Sequence, residues 1–261
     1  MNVYRLVTFN IAHGRGLSLY QGFHSAEVIE SKLKKITKVL TDAEADIVAM
    51  QEVDESSFWN KNINLLDVIR TETPYHHSYI GINNTRAGQW NLSYGNALLS
   101  RHPIGTRHNQ PFSESQLGGK GFMYAEVEIG RVSLPIVNIH LDFRSRSRRV
   151  EQIDQVIDFL EARARVEAEG TLQPIICGDF NCPAKRAGDA VHRIFSYLQQ
   201  DRHYTLLPEG ARTFPAHFPT RTIDFVFMPG QCHVNRVDVL PVYVSDHRPV
   251  LVEFEVPAAN D

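Results

Sequence analysis

The sequence predicts an α/β (α+β) protein: a four-layer α-β-β-α sandwich, with two mixed β-sheets packed face to face and helices outside. Three observations predict it. Short apolar runs with strand character recur along all 261 residues. A few amphipathic helical patterns lie between them. Strict strand–helix alternation is absent, because hairpin-like strand pairs fill the middle and the end of the chain. A plain doubly wound parallel sheet fits this order less well than two mixed sheets.

"VYRLVTFNI" (3–11) opens as a strand almost at once. In "SAEVIESKLKKITKVLTDAEA" (25–45), Val28, Ile29, Leu33, Ile36, Val39 and Leu40 recur at helical spacing, behind Ser25 as N-cap. "DIVAMQEV" (46–53) is a second strand with a polar end, and a second helix is expected over about 56–70. "HHSYIGIN", "YGNALLSRHPI" and "FMYAEVEIGRVSLPIVNIHLD" supply further strands, with a hairpin at Ile129–Arg131. The clearest helix is 147–170, with Val150, Ile153, Val156, Ile157 and Leu160 on one face and Gly170 as its stop. "TLQPIICGDFN" follows as a strand, then a short helix near 187–199, "TIDFVFMPG" and "PVYVSDHRPVLVEFEV". No repeat, low-complexity segment or Gly/Ser-rich linker divides the chain. A single domain over 1–261 is expected, with its core at about 3–256.

Composition is that of a globular protein, 43% hydrophobic and 22% charged, with a net charge of −3. That balance disfavours a nucleic-acid or membrane-surface binder acting through bulk positive charge, though it leaves room for a local basic patch. The three cysteines show no CxxC spacing, so neither a disulfide framework nor a zinc site is expected. The amino terminus does not read as a signal peptide, and no apolar run is long enough to span a bilayer. These points lead to an expected cytoplasmic monomer without a transmembrane anchor.

One pattern exceeds turn chemistry. Asn10, Glu52, His140, Asp179 with Asn181, and Asp246 with His247 stand at or just past the ends of apolar strands, and Asp224 stands at the start of one. Alternation along a strand points residues i and i+2 the same way, so Asp179 and Asn181 in "GDFN" converge while Phe180 turns into the core. Burying such groups without partners costs roughly 2–7 kcal/mol each, more for a charge. They are tolerated if the strand ends meet around a cation. The set is dominated by carboxylate and amide oxygens, which select Mg²⁺, Ca²⁺ or Mn²⁺ over zinc. Mg²⁺ bound by few carboxylates commonly works on a phosphate substrate.

Taken in order, "TFN", "QEV", "NALLSRHPI", "NIHLD", "CGDFN", "TFPAHFPTRTIDFVF" and "SDHRPV" resemble the motifs of the endonuclease/exonuclease/phosphatase superfamily, the DNase-like fold. The resemblance runs over about 3–256. It implies a Mg²⁺- (or Mn²⁺-) dependent phosphoric ester hydrolase working by in-line attack of an activated water. Glu52 is then the principal metal ligand, helped by Asn10 and Asp246. Asp179 orients or deprotonates the water, and Asn181 donates to a phosphate oxygen or leaving group. His140 bonds the scissile phosphate. His247 acts as base or cationic stabiliser, with Asp224 holding its other ring nitrogen. Where relatives carry a phosphate-contacting residue before the "LLS" strand, Tyr94 and Asn96 are both candidates. Lys120 stands where many relatives place an arginine.

Arg144, in "RSRSRR" (144–149), is a candidate grip on a flanking phosphate, against the alternative of a solvated helix start. His13 lies near the site in sequence but is expected to be exposed. Trp59, Trp90, Phe112 and Tyr20 are expected in core or rim packing, and segments 14–24 and 108–122 are expected to govern substrate choice. The substrate stays open among nucleic acid, which net charge does not favour, a phospholipid head group and a small phosphorylated metabolite. The alternative from another class is a catalytically silent binding protein on the same scaffold.

Overall fold

The computed structural model describes residues 2–18, 22, 24–113, 118–166, 171–200 and 203–257. Tyr20, Gly170 and parts of segments 14–24 and 108–122 lie outside them. β1 (Val3–Asn10) passes through a 3-10 turn into α1 (Ala26–Asp42) and returns as β2 (Ile47–Asp54). After another 3-10 turn come α2 (Leu65–Thr71), β3 (His77–Arg86), β4 (Leu92–Ser100), β5 (Ile104–Pro111), β6 (Gly121–Ile129) and β7 (Val132–His140). α3 (Arg146–Ala164), β8 (Ile175–Asp179), α4 (Ala190–Leu198), β9 (Thr205–Leu207), β10 (Asp224–Met228), β11 (His233–Val239) and β12 (Val250–Glu255) complete the order.

The strands form two six-stranded mixed sheets, β11-β12-β1-β2-β4-β3 and β5-β6-β7-β8-β10-β9. Each sheet holds one parallel pair joined through a helix: β1 and β2 around α1, β7 and β8 around α3. The expected hairpin is present, Gly130 and Arg131 linking the paired Ile129 and Val132. Leu6, Ala49, Leu98, Met123, Ile136, Ile175 and Val252 fill the space between the sheets. Val7, Phe9, Val48 and Met50 point the other way, onto Ile29, Leu33, Ile36 and Leu40 of α1. On the far side Val137, Ile139, Ile176 and Phe227 meet Ile153, Val156 and Leu160 of α3 and Ile194 of α4. Central strands buried on both faces explain their unbroken apolar runs.

Two expectations change. Val28 is exposed, because the buried face of α1 runs through Ile29, Leu33, Ile36, Thr37 and Leu40. The helix expected over 56–70 contracts to α2. Lys61 and Asn62 take left-handed backbone (φ 56° and 59°), which stops a helix. Asn64 then restarts it, its side chain accepting from Asp67 N at 3.1 Å.

A polar cluster between the sheets sets the direction of Glu52. Gln51 Nε2 donates to Asn138 Oδ1 (2.8 Å) and Thr8 Oγ1 (3.1 Å), while Asn138 Nδ2 donates to the carbonyls of Met50 (2.9 Å) and Ala97 (3.1 Å). The β2–β4 register slips between Met50 and Val53, and Glu52 adopts φ 57°. Asn138 thus serves carbonyls at a β-bulge that redirects Glu52 out of the regular alternation.

Candidate active site

The parallel pairs place their carboxyl ends at the same edge of the sandwich. β1 delivers Asn10, β2 Glu52, β7 His140 and β8 Asp179. β10 runs antiparallel to β8 in register Asp224↔Asp179, so a residue at a strand's start joins residues at strand ends. β12 runs antiparallel to β1, and His247 precedes its first residue by three positions. Asn10, Glu52, Lys120, His140, Asp179, Asn181, Asp246 and His247 line one cavity of about 230 Å³, together with Arg15 and Phe143.

Asp179 lines it and is almost fully buried. Its Oδ2 accepts from Asn10 Nδ2 (3.0 Å) and Asn181 Nδ2 (3.2 Å), and its Oδ1 from Asn181 N (2.9 Å). Asn181 has φ 53°, a conformation that asparagine tolerates and that folds its amide back on Asp179. Phe180 packs into the α3–α4 core against Phe225 and Phe227. Gly178 (φ 138°) is required by the neighbouring backbone rather than by a ligand: a Cβ there would lie 1.9 Å from Ile139 O.

His247 Nδ1 lies 2.9 and 3.0 Å from the two carboxylate oxygens of Asp224, and its Nε2 lies 3.8 Å from Asp179 Oδ2. Burial disfavours the imidazolium, but Asp224 and Asp179 outweigh burial and lift His247 to about 10. Burial, reinforced by Asp224, pushes Asp179 up to about 7 against the pull of His247. Between the two, the proton settles on His247.

Glu52 is half-buried and held well below the usual carboxylate range: desolvation works against ionisation, and the positive charges of Lys120, His13 and His247 overcome it. Lys120 Nζ donates to Glu52 Oε1 (3.2 Å) and to His140 Nε2 (2.8 Å). Burial, then the Lys120 charge, drives His140 well below its ordinary value, so His140 is the neutral imidazole of the site. Its Nε2 is 3.4 Å from Asp179 Oδ2.

Three candidates are placed differently from expectation. Asn96 does not reach the cavity. It is fully buried between the sheets, donating to Gly121 O (3.1 Å) and Asn138 O (3.0 Å), because its side chain points along the inter-sheet face of β4. Tyr94, the other candidate at that position, lies against His13 at 4.9 Å between ring centroids. Arg144 is exposed, 4.8 Å over the Phe143 ring, and lines an adjoining cavity of about 430 Å³ that shares Lys120 and Phe143. Asp246 faces the cavity, but its Oδ2 is paired with Arg15 at 2.5 Å. Within "RSRSRR", Arg149 is buried in a two-pronged pair with Asp189 (2.9 and 2.7 Å), so it serves the fold. Arg146 donates to the Ala187 and Gly188 carbonyls.

His13 is buried, contrary to expectation. Ala12 and His13 take φ 48° and 52°, which folds the ring inward onto Asp54, where Nδ1 pairs with Oδ2 at 2.8 Å. Burial opposes its charge, but Asp54 and Glu52 raise it above its ordinary value. Arg15, His13 and Asp54 carry no motif of their own; "NIAHGRG" next to Asn10 was the one available signal.

Several carboxylate and amide oxygens and one neutral imidazole therefore converge where cationic charge is needed, a donor set that fits a hard divalent ion. Asp179, Asp224 and His247 bring ligand atoms within 4.8 Å of one another, although Asp224 and His247 already satisfy each other.

A two-sheet sandwich with this cavity at one edge defines a class, and the chain belongs to the endonuclease/exonuclease/phosphatase family, whose model matches residues 7–247. Members of that family are phosphoester hydrolases. Among individual proteins, the uncharacterized protein YbhP of Escherichia coli (strain K12) is 24% identical over 170 residues, 62% of this chain and 63% of YbhP. The chain thus spans a little under two thirds of the curated relatives it matches. A solved endonuclease/exonuclease/phosphatase from Bacteroides vulgatus superposes with a TM-score of 0.72 at 17% identity, covering 98% of this chain and 100% of that one. The mannosyl-6-phosphatase Bt3783 of Bacteroides thetaiotaomicron gives 0.70 at 16%, covering 97% and 99%. At these identities the likeness establishes the fold.

Proposed function

We propose that this chain hydrolyses phosphate esters by in-line attack of water, with Asp179 as the group that takes the water's proton. One observation carries the reading. The buried carboxylate of Asp179 is aimed by Asn10 from one sheet and Asn181 from its own, with the Asp224–His247 pair facing the same oxygen. Asp179 is poised near 7 and free to accept a proton, because His247 holds its own more tightly. His247, kept cationic by Asp224, and the Lys120 ammonium then stabilise charge developing on the phosphoryl oxygens. His140, neutral, hydrogen-bonds the phosphate, and the Asn181 amide supports the leaving side.

Glu52 with Asn10 or Asp246 would hold a Mg²⁺ or Mn²⁺ ion, which supplies charge neutralisation at the phosphate. The adjoining cavity, with Phe143, Arg144 and Arg148, takes the group beyond the scissile bond and supports a substrate with a second anionic group or a flanking phosphate. Among the described residues no helix is long and apolar enough to cross a membrane, and the buried free thiols of Cys177, Cys182 and Cys232 suit a reducing compartment such as the cytoplasm.

Hydrolysis of bis-p-nitrophenyl phosphate and p-nitrophenyl phosphate with Mg²⁺ or Mn²⁺ tests the reaction and separates diesterase from monoesterase. Activity is expected to vanish with chelator and in Glu52→Ala and His247→Ala. Turnover that survives all three rejects the mechanism. A panel of plasmid DNA, single-stranded oligonucleotide, sphingomyelin and inositol phosphates then assigns the substrate.

A further inference from the structure

We infer that His13 is a nitrogen ligand of the divalent centre, through Nε2 and beside Oε2 of Glu52, so that the protein binds Mn²⁺ in marked preference to Mg²⁺. The inference rests on the metal-dependent reading above and concerns which atoms hold the ion.

The residues leave His13 little freedom. Its Nδ1 pairs with the buried carboxylate of Asp54 at 2.8 Å, and Asp54 is itself fixed by Trp59 Nε1 (3.0 Å) and Asn60 Nδ2 (2.6 Å). Asn60 also donates to the His13 carbonyl at 2.9 Å. Trp59 and Tyr94 wall the ring edge-on, with centroids at 5.2 and 4.9 Å. The left-handed backbone at Ala12 and His13 is a cost that folds retain mainly where it places a functional group.

With Nδ1–H given to Asp54, a divalent ion that displaces the proton from Nε2 gains its lone pair beside Glu52 Oε2, 3.6 Å away. That is too long for a hydrogen bond between them. Donors bonded to one ion at about 2.0–2.2 Å lie roughly 3–3.5 Å apart, which this pair reaches with a small shift. The other Glu52 oxygen, Oε1, is engaged by Lys120, so Oε2 is the oxygen left for an ion on the His13 side. A carboxylate that orients the far nitrogen of an imidazole is the usual backing of a metal-bound histidine. Magnesium takes oxygen ligands and keeps its waters, whereas the affinity of a site with a nitrogen donor rises along the first-row divalent series that begins at manganese.

The test measures binding of MnCl₂ and MgCl₂ alone to the metal-free full chain, with pulsed EPR of the Mn²⁺ form reading nitrogen coupling. His13→Gln is expected to weaken Mn²⁺ by roughly 10–100-fold or more and Mg²⁺ much less, and to remove one imidazole coupling. Asp54→Asn is expected to weaken Mn²⁺ in the same sense by mis-setting the tautomer. Equal losses for both ions, or a nitrogen signal unchanged in His13→Gln, overturn the inference. Should His13→Gln not fold, His13→Asn replaces it, and a wild-type Mn²⁺ spectrum with no nitrogen coupling overturns the inference without any variant. Mn²⁺ bound by oxygens alone defeats the role of His13 and leaves the phosphoesterase reading standing. Failure of wild type to bind either ion defeats both.

Discussion

Asn10 and Asp179, 169 residues apart and on different sheets, are joined by a 3.0 Å hydrogen bond from amide to carboxylate. The bond ties the two sheets together at the candidate site and fixes the rotamer of the carboxylate proposed to take the proton. A hydrogen bond to a charged group contributes about 1.5–3 kcal/mol. Asn10→Ala is therefore expected to lower kcat by roughly 10–100-fold while shifting Tm little. A large fall in Tm with kcat per folded molecule preserved would make Asn10 a structural link only.

His247 ties stability to pH. Its folded value of about 10 lies above the ordinary 6.5, so the folded state favours the imidazolium. That contribution is fully present below 6.5 and is lost as pH rises through about 10. Asp224→Asn removes the leading attraction. The Tm gap between wild type and Asp224→Asn is expected to be widest near pH 6 and to narrow toward pH 10. A gap constant across that range would refute a charge-based role for the pair.

Metal binding has a signature independent of turnover. A ligand that binds only the native state adds about 2.7 kcal/mol at one hundred times its Kd. For a chain of this length that raises Tm by about 5–10 °C. Mn²⁺ is expected to produce such a rise in wild type and none in Glu52→Gln. Equal rises in both would place the ion elsewhere.

Gly178 lets β7 and β8 approach at the active edge. A methyl group there meets the Ile139 carbonyl at 1.9 Å, so neither rotamer nor side-chain movement relieves it. Gly178→Ala is expected to cost more than about 3 kcal/mol. Denaturant unfolding checks this, and a near-native midpoint would show that the strands part easily.

Arg149 and Asp189 form a buried two-pronged pair that ties the start of α3 to the N-cap of α4. Removing one partner leaves an uncompensated buried charge, so Asp189→Ala is expected to lose about 3–5 kcal/mol. Activity per folded molecule is expected to hold; if it drops while stability holds, "RSRSRR" acts on substrate through Arg149.

Much of this site was legible because its residues break a pattern. Glu52, His140 and Asp179 are polar residues at the ends of runs that are otherwise apolar, so each announces itself locally. His13, Arg15 and Asp54 were not legible, since each is an ordinary polar residue in or beside a loop. Only the left-handed turn at Ala12–His13, the Asp54 cradle and the Arg15–Asp246 pair bring them in. Asn96 misled for the converse reason. It occupies a motif position, but strand alternation directs it between the sheets, where its donors serve backbone carbonyls.

Local patterning along the chain was sufficient for the two-sheet sandwich, the order of its strands and helices, and the edge of the sheets at which most of the candidate residues gather. Apolar periodicity and turn residues are properties that each segment carries with it. Which oxygens and nitrogens meet, which carboxylate takes Arg15 and which histidine stays neutral emerge only when the segments pack. Those outcomes depend on distances of a few ångströms between segments far apart in the chain, and on the removal of water from around them, and no single segment encodes either.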